Sequence, residues 1–264
     1  LLAKMYLNSE IFSDGTHKDY DKCIEACNKV LECGKYSMET VRKNVFVTNN
    51  ENSKEIIFAL PFDETYVTDW NAFDFHMYSL QPENQATYNF KATPWGGACV
   101  IPQYIESFDP DDQRLKDDFI SGPQYDKNGG VLYCTMGNMK GKPLDYVNKV
   151  NSIDDSDENQ GWRWGKFEYA EGITNRLSND FPLLRYADVY LMKAEALLRT
   201  GHADEAAELV TKVRERNFTE HPAKAIVTGE QLQETSCYDY GRRDNVKSTH
   251  DHAIIQYGRM LDEL

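Results

Sequence analysis

The residues best suited to recognition chemistry in this sequence are flat aromatics set beside amides, glycines and charges. They are Trp70 with Asn71, Tyr88 with Asn89, Trp95 with Gly96 and Gly97, and Trp162 with Arg163 and Trp164. A sugar ring presents patches of C–H on its faces and hydroxyls at its rim, so a site for it needs aromatic platforms flanked by hydrogen-bonding groups. Taken singly, each large aromatic reads as core filler. Taken together, with all four tryptophans of the chain in one stretch, they read as a ligand face. Trp162 and Trp164 alternate by two and would share one side of an extended segment. Trp95, between Pro94 and two glycines, reads as an exposed loop tip.

Other chemistries find less support. The oxygen-rich run Asp154, Asp155, Asp157, Glu158 and Asn159 before Gly161 suggests calcium, with Asp155, Asp157 and Asn159 as ligands. Its glycine is displaced from the EF-hand position and no glutamate closes the loop, so a solvated acidic loop is the preferred reading and no metal or cofactor is expected. Arg185 and Asp188, three apart on a predicted helix, read as a structural pair. A glycosidase needs two facing carboxylates, which 43 acidic residues cannot exclude, but no nucleophile elbow, zinc helix or phosphate loop is present and the six histidines are scattered. No enzyme activity is expected. Cys23 and Cys27, four apart on a helix, would share a face, but no matching Cys or His pair follows, so the six cysteines read as scattered thiols.

The chain has 264 residues, and 43 acidic against 29 basic residues give a formal charge of −14. Nucleic acid and anionic lipid would be repelled, whereas sugars, peptides and proteins remain as partners. No apolar run approaches the ~20 residues of a membrane span. LLAKMYLNSEIF lacks a starting Met or a leader and reads as the interior of a helix, so the true N-terminus, with any signal peptide or lipid-anchor Cys, is expected upstream. AIIQYGRMLDEL is again read as helical, ending without a stop signal, so the chain is expected to continue.

The elements that must position the aromatics fall into two kinds. Residues 1–36 and 180–218 each read as a pair of amphipathic helices. In the second, Leu184, Ala187, Leu191, Ala194 and Leu198 line one face, Pro182 precedes the helix and Gly201 breaks it. In the first, Tyr20, Ile24, Cys27 and Leu31 repeat the spacing. Such pairs resemble tetratricopeptide repeats. Between them, residues 37–179 lack helical periodicity and are read as a long irregular region, with short strands at EIIFAL (55–60) and GGVLYCTM (129–136) and a turn entering a short helix at DPDDQRLKDD. Residues 219–264 are read as a loop and a C-terminal helix, the whole forming a single domain, mainly α.

The run NDFPLLRYADVYLMKAEALLRTG at 179–201 resembles the C-terminal signature of SusD/RagB proteins. CGKYSM, NENSKEIIFAL, FDPDDQRLKDDFI and WGKFEY agree with that family in order, so the resemblance spans nearly the whole chain. It implies a helical protein of tetratricopeptide-like units with an irregular ligand-binding side, lipid-anchored at the outer surface of the outer membrane. It further implies a non-catalytic role, capturing oligosaccharide for a SusC-like TonB-dependent transporter, with the helical side toward the transporter. The family's C-terminal Glu-Arg helix and Arg-Trp segment are expected beyond Leu264, where the chain is expected to continue. A peptide ligand is the alternative within the family; a protein-binding repeat scaffold or a glycoside hydrolase are alternatives outside it. The Trp-rich loops favour a glycan, and the net charge disfavours an acidic one unless a local basic patch exists.

Overall fold

Apolar residues recurring at intervals of three and four from Ala187 to Leu198 commit that stretch to a helix, and it becomes the element on which the others pack. The computed structural model describes residues 1–67, 72–152, 155–238 and 255–263. Among them the helices are α1 (Leu2–Leu7), α2 (Ser9–Phe12), α3 (Tyr20–Leu31), α4 (Phe75–Ser79), α5 (Gln85–Tyr88), α6 (Pro102–Glu106), α7 (Arg114–Asp117), α8 (Tyr186–Arg199), α9 (Ala203–Arg214), α10 (Gly229–Leu232) and α11 (Gly258–Asp262). The strands are β1 (Ile56–Leu60), β2 (Phe119–Ile120), β3 (Gly122–Pro123), β4 (Asp145–Tyr146), β5 (Arg163–Trp164) and β6 (Phe181–Arg185), paired antiparallel as β1–β6, β2–β5 and β3–β4. Regular structure is thus mostly helical with a few short strands. No helix among the described residues is long and apolar enough to cross a membrane.

Ten of the 14 residues of α8 are buried, more than one packed face can use, so the helix is covered on two sides. Leu191, Ala194, Leu197 and Leu198 meet Ala206, Ala207 and Val210 of α9, with Leu232 of α10 and Met260 of α11 closing the cluster. Val189, Met192 and Ala196 meet Tyr20, Cys23 and Cys27 of α3 and Ala3 of α1. Ala194, Ala196, Ala206, Cys23 and Cys27 are completely enclosed, and their small size lets the axes approach. Each fully buried Leu here contributes about 1.5–3 kcal/mol.

The structure departs from the sequence reading in four places. Two like helix pairs are not resolved: LLAKMYLNSEIF breaks at Asn8, whose side-chain amide donates to the Lys4 carbonyl (2.8 Å), and α3 packs directly on α8, merging the two segments in one layer. Residues 181–185 are strand, not helix. Ala59 pairs with Pro182 and Phe58 with Leu184, so Leu184 leaves the helical stripe, and a two-stranded edge tolerates the missing proline donor. The helix begins one residue later, where the Asp188 carboxylate accepts the Arg185 N–H (2.7 Å) in a capping box. GGVLYCTM forms only the bridges Tyr125–Val131 and Tyr133–Pro143, because the Asp126 carboxylate holds the Asn128 and Gly130 N–H groups in a turn (2.7 and 2.9 Å). Finally, Tyr257 at φ 58° stops helical conformation on the N-terminal side of α11, leaving only Gly258–Asp262 of AIIQYGRMLDEL helical among the described residues.

Two buried charges lock the irregular region to the helices. Glu55, with no exposure, accepts from Arg185 Nη1 (3.2 Å), Arg216 Nη2 (3.0 Å) and the Glu39 N–H (2.9 Å), while its carbonyl accepts the Tyr186 N–H (2.8 Å). Lys43 donates to the carbonyls of Asp117, Gly165 and Lys166, and burial pulls its ammonium below the ordinary lysine range. Glu55→Gln removes one charge from a hydrogen-bonded buried cluster, leaving Arg185 with Asp188 alone and taking from Arg216 its carboxylate partner; the expected loss is about 3–5 kcal/mol by urea denaturation. A loss under about 1 kcal/mol would show that the arginines find other partners.

Candidate functional site

A helix as short as α4 cannot stand alone and is held entirely by tertiary contacts. Its His76, Met77 and Ser79 are buried, so Phe75 and Tyr78, three apart, share the opposite side and face outward. Each is met by a tryptophan from elsewhere in the chain. Trp95 stands edge-on to Tyr78 (ring centroids 4.7 Å, 79°) and Trp164 leans on Phe75 (5.4 Å, 57°). Tyr78 and Trp95 are each 51% exposed, Phe75 and Trp164 each 39%. The result is a strip of four large aromatics open to solvent, more than the scattered single residues of an ordinary surface.

Backbone bonds to the end of α4 fix both tryptophans. The Trp95 N–H donates to the Met77 carbonyl (2.7 Å), Gly96 to Leu80 (3.0 Å) and Ala98 to Tyr78 (2.8 Å). Gly96 turns at φ 74°, a conformation that favours glycine, and a Cβ there would lie 2.7 Å from Gln81 Oε1 and displace that amide. The Trp164 N–H donates to Ser79 Oγ (2.8 Å), and its carbonyl accepts the Tyr169 hydroxyl (2.6 Å). Across β5 the buried Arg163 points the other way, its guanidinium over the Tyr146 ring (4.7 Å). Trp162, half-buried, bridges to Val100 and lies beside Phe119 (6.4 Å).

The other sequence candidates lie elsewhere. Tyr88 is not on the strip. Its ring stacks on Phe90 (4.9 Å, 10°) and abuts Tyr169 (5.7 Å) against the buried apolar cluster of Phe73, Leu80 and Leu177, where burial pushes its phenol up to about 12. Trp70 lies outside the described residues, as does Asp154. Of the calcium candidates, the Asp157 carboxylate accepts from the amides of Asn138 (3.3 Å) and Gln160 (3.2 Å), the Asp155 N–H donates to Ser152 Oγ (2.8 Å), and the Asn159 carbonyl accepts from Val147 (3.1 Å). Gly161 serves packing: a Cβ there would meet Cys99 Sγ at 2.4 Å. Among the described residues no three His, Cys, Asp or Glu side chains gather closely enough to hold a metal ion.

Sequence reasoning missed Phe75 and Tyr78, whose only signal is the F-x-x-Y spacing in FDFHMYS, and also the polar layer beneath the strip. There Gln81 Nε2 and Arg163 Nη2 donate to the Glu158 carbonyl (3.0 and 2.9 Å), tying the Trp95 loop to β5. The Glu158 carboxylate takes the N–H groups of Thr135 (3.0 Å) and Met136 (2.9 Å). The Glu83 carboxylate, which accepts the Thr135 hydroxyl (2.6 Å), is a second acidic group beside it. Burial, then Glu83, lift Glu158 above the usual carboxylate range against the opposing pull of those two amides.

The sequence profile of the SusD family matches residues 54–235, more than half of the chain. The chain belongs to the SusD family. That family consists of non-catalytic binding proteins. Solved structures similar to the SusD-family chain include B. fragilis NanU (TM-score 0.61, 18% identity, covering 99% of this chain and 50% of that one). A SusD superfamily protein from Bacteroides vulgatus gives 0.58 at 20% identity, covering 99% of this chain and 52% of its own. Surface glycan-binding protein A from Bacteroides thetaiotaomicron, in complex with laminarihexaose, gives 0.58 at 13%, covering 84% and 49%. At such identities the likeness is one of fold. The chain spans about half the length of the solved structures it matches, and no curated protein sequence matches it.

The carboxyl pair sets a pH dependence for this SusD-family chain. With the folded value of Glu158 above its unfolded one, the pair's contribution to stability is complete below the ordinary glutamate range and is lost as pH rises through the raised value. Glu83→Gln, which removes the neighbouring negative charge, should raise the urea midpoint near pH ~7 and change it less near pH ~4. An unaltered midpoint near pH ~7 would count against repulsion between the two side chains.

Proposed function

We propose that this chain acts in the non-catalytic capture of oligosaccharides at the bacterial cell surface, holding them on the strip formed by Phe75, Tyr78, Trp95 and Trp164, with Trp162 at its margin. In this reading the protein is lipid-anchored to the outer membrane and passes its ligand to a SusC-like TonB-dependent transporter. The helical layer of α1, α3, α8 and α9, taken as tetratricopeptide-like pairs, faces the transporter. The observation that carries the reading is the strip itself. Perpendicular Tyr78 and Trp95 give a floor and a wall for the C–H faces of a pyranose, and the aromatic pairs are held by backbone bonds, so little ordering entropy is lost on binding. The laminarihexaose complex of the B. thetaiotaomicron relative supports a saccharide as the ligand class.

Isothermal titration against a panel of neutral oligosaccharides tests this. Saturable binding is expected, weakened at least about tenfold (~1.4 kcal/mol) in Trp95→Ala and in Tyr78→Ala, with far-UV circular dichroism unchanged. Binding of peptides with no response to any glycan would sink the sugar assignment, and turnover of any ligand would overturn the non-catalytic one.

A further inference from the structure

A cleft of about 650 Å³ opens between the segment carrying α6 and α7 on one side and α8, α9 and α11 on the other. Its floor is cationic although the whole chain carries −14. Three cations converge on the buried ring of Phe46: Lys166 Nζ at 4.7 Å from its centroid, the guanidinium of Arg42 at 5.5 Å and that of Arg185 at 5.6 Å. Arg42 pairs with Asp118. Arg185 pairs with Asp188 and shares Glu55 with Arg216. Among the described residues, four cations, Arg42, Lys166, Arg185 and Arg216, therefore face three carboxylates, and the ammonium left over is that of Lys166, which has no ion-pair partner among those residues. The Nε atoms of Arg42 and Arg216 are also buried without a partner.

The other arginines lining the cleft each have a carboxylate partner, Arg114 with Asp112, Arg214 with Glu263 and Arg259 with Asp262, and the lining Asp109 shares Lys224 with Asp111. The excess positive charge is thus local to the Phe46 floor. Burial brings the Lys166 ammonium down to about 8, against the pull of Asp118 and with Arg185 and Arg42 pushing the same way as burial. An incoming anion would reverse that push. Aromatic rings also lead here from the proposed glycan strip. Trp162 lies beside Phe119 (6.4 Å), Phe119 beside Tyr104 (6.2 Å), and the exposed Tyr104 lines the cleft.

We infer that this cleft binds the carboxylate of an acidic saccharide, a uronic-acid residue, with Lys166 as its charge partner and Tyr104 as the platform for its ring. This rests on the proposed function and narrows its ligand class to chains carrying carboxylates. Neutral saccharide would still stack on the Tyr78 and Trp95 strip, so the two readings fail separately.

The test titrates the full chain with galacturonic-acid trimer and with its neutral galactose counterpart at low salt and about pH 8.5, in buffers of different ionisation enthalpy. Expected are tighter binding of the acidic trimer, proton uptake on binding as Lys166 is pulled back to its charged form, and an affinity that falls with added salt. Lys166→Gln should weaken the acidic trimer about tenfold or more and leave the neutral one unchanged, whereas Lys166→Arg should keep most of the affinity. The inference is overturned if the acidic trimer binds no tighter than the neutral one, if no proton is taken up, or if a folded Lys166→Gln protein binds it undiminished. Inorganic phosphate competing at equal affinity would likewise overturn the assignment to a carboxylated sugar. A Lys166→Gln chain that fails to fold leaves the proton-uptake measurement on the unaltered protein to decide.

Discussion

Glu55 is an anion shut away from water, and an isolated carboxylate in that position would cost several kcal/mol or give up its charge. Its guanidinium partners come from two distant places, Arg185 at the junction of β6 with α8 and Arg216 in the turn that follows α9. Both arrive only if β1 lies against β6 and the two long helices are packed. The carboxylate thus couples three elements in a single condition. Its carbonyl adds a fourth constraint by holding the first N–H of α8. Losing the carboxylate would leave Arg216 without its ion pair and Arg185 with Asp188 alone, so the cluster ties the position of each element to the others.

That condition reaches the exposed aromatics through β6. Arg185 ends the strand and Phe181 begins it, and the Phe181 ring packs on Phe73 (5.5 Å) and Phe75 (6.2 Å). Phe75 in turn supports Trp164. A short helix with five residues therefore inherits its position from a buried ion cluster at the far end of a strand. The same logic applies to Phe46, whose ring lies among cations that pairing alone leaves unbalanced. A quadrupole can attract several cations without neutralising any of them, so it stabilises a local positive excess that a carboxylate would have cancelled.

What was legible in the sequence follows how local each cause is. The stripe of α8 could be read because Ala187, Leu191, Ala194 and Leu198 carry a full helical period within one segment. Phe181 to Arg185 could not, since a short apolar run with a proline fits a strand or a helix start equally, and only pairing with β1 decides. The exposed loop at Trp95 was written locally, in Pro94 and the two glycines. The exposure of Phe75 and Tyr78 was not, because five residues hold too little periodicity and their outward face is defined by what buries His76 and Met77. Tyr88 shows the converse: its surroundings come from Phe90 and Tyr169, the latter some 80 residues away in the chain, and nothing beside it in sequence announces them.

An open strip and a charged cleft ask for different things from the same scaffold. A fully enclosed pocket would bury most of a ligand and hold it through many directional bonds, which slows release. Stacking on exposed rings is tolerant of rotation and forfeits little when the ligand slides or leaves, so it suits a surface that gathers a ligand and gives it up again. Such a surface discriminates weakly. The Lys166 ammonium, set in a cleft reached along Trp162, Phe119 and Tyr104, supplies what stacking lacks, because a charge partner at fixed position rejects neutral chains by the bond they cannot make. Placing that charge on the Phe46 floor, away from the strip, lets the aromatic surface stay tolerant while the cleft stays selective.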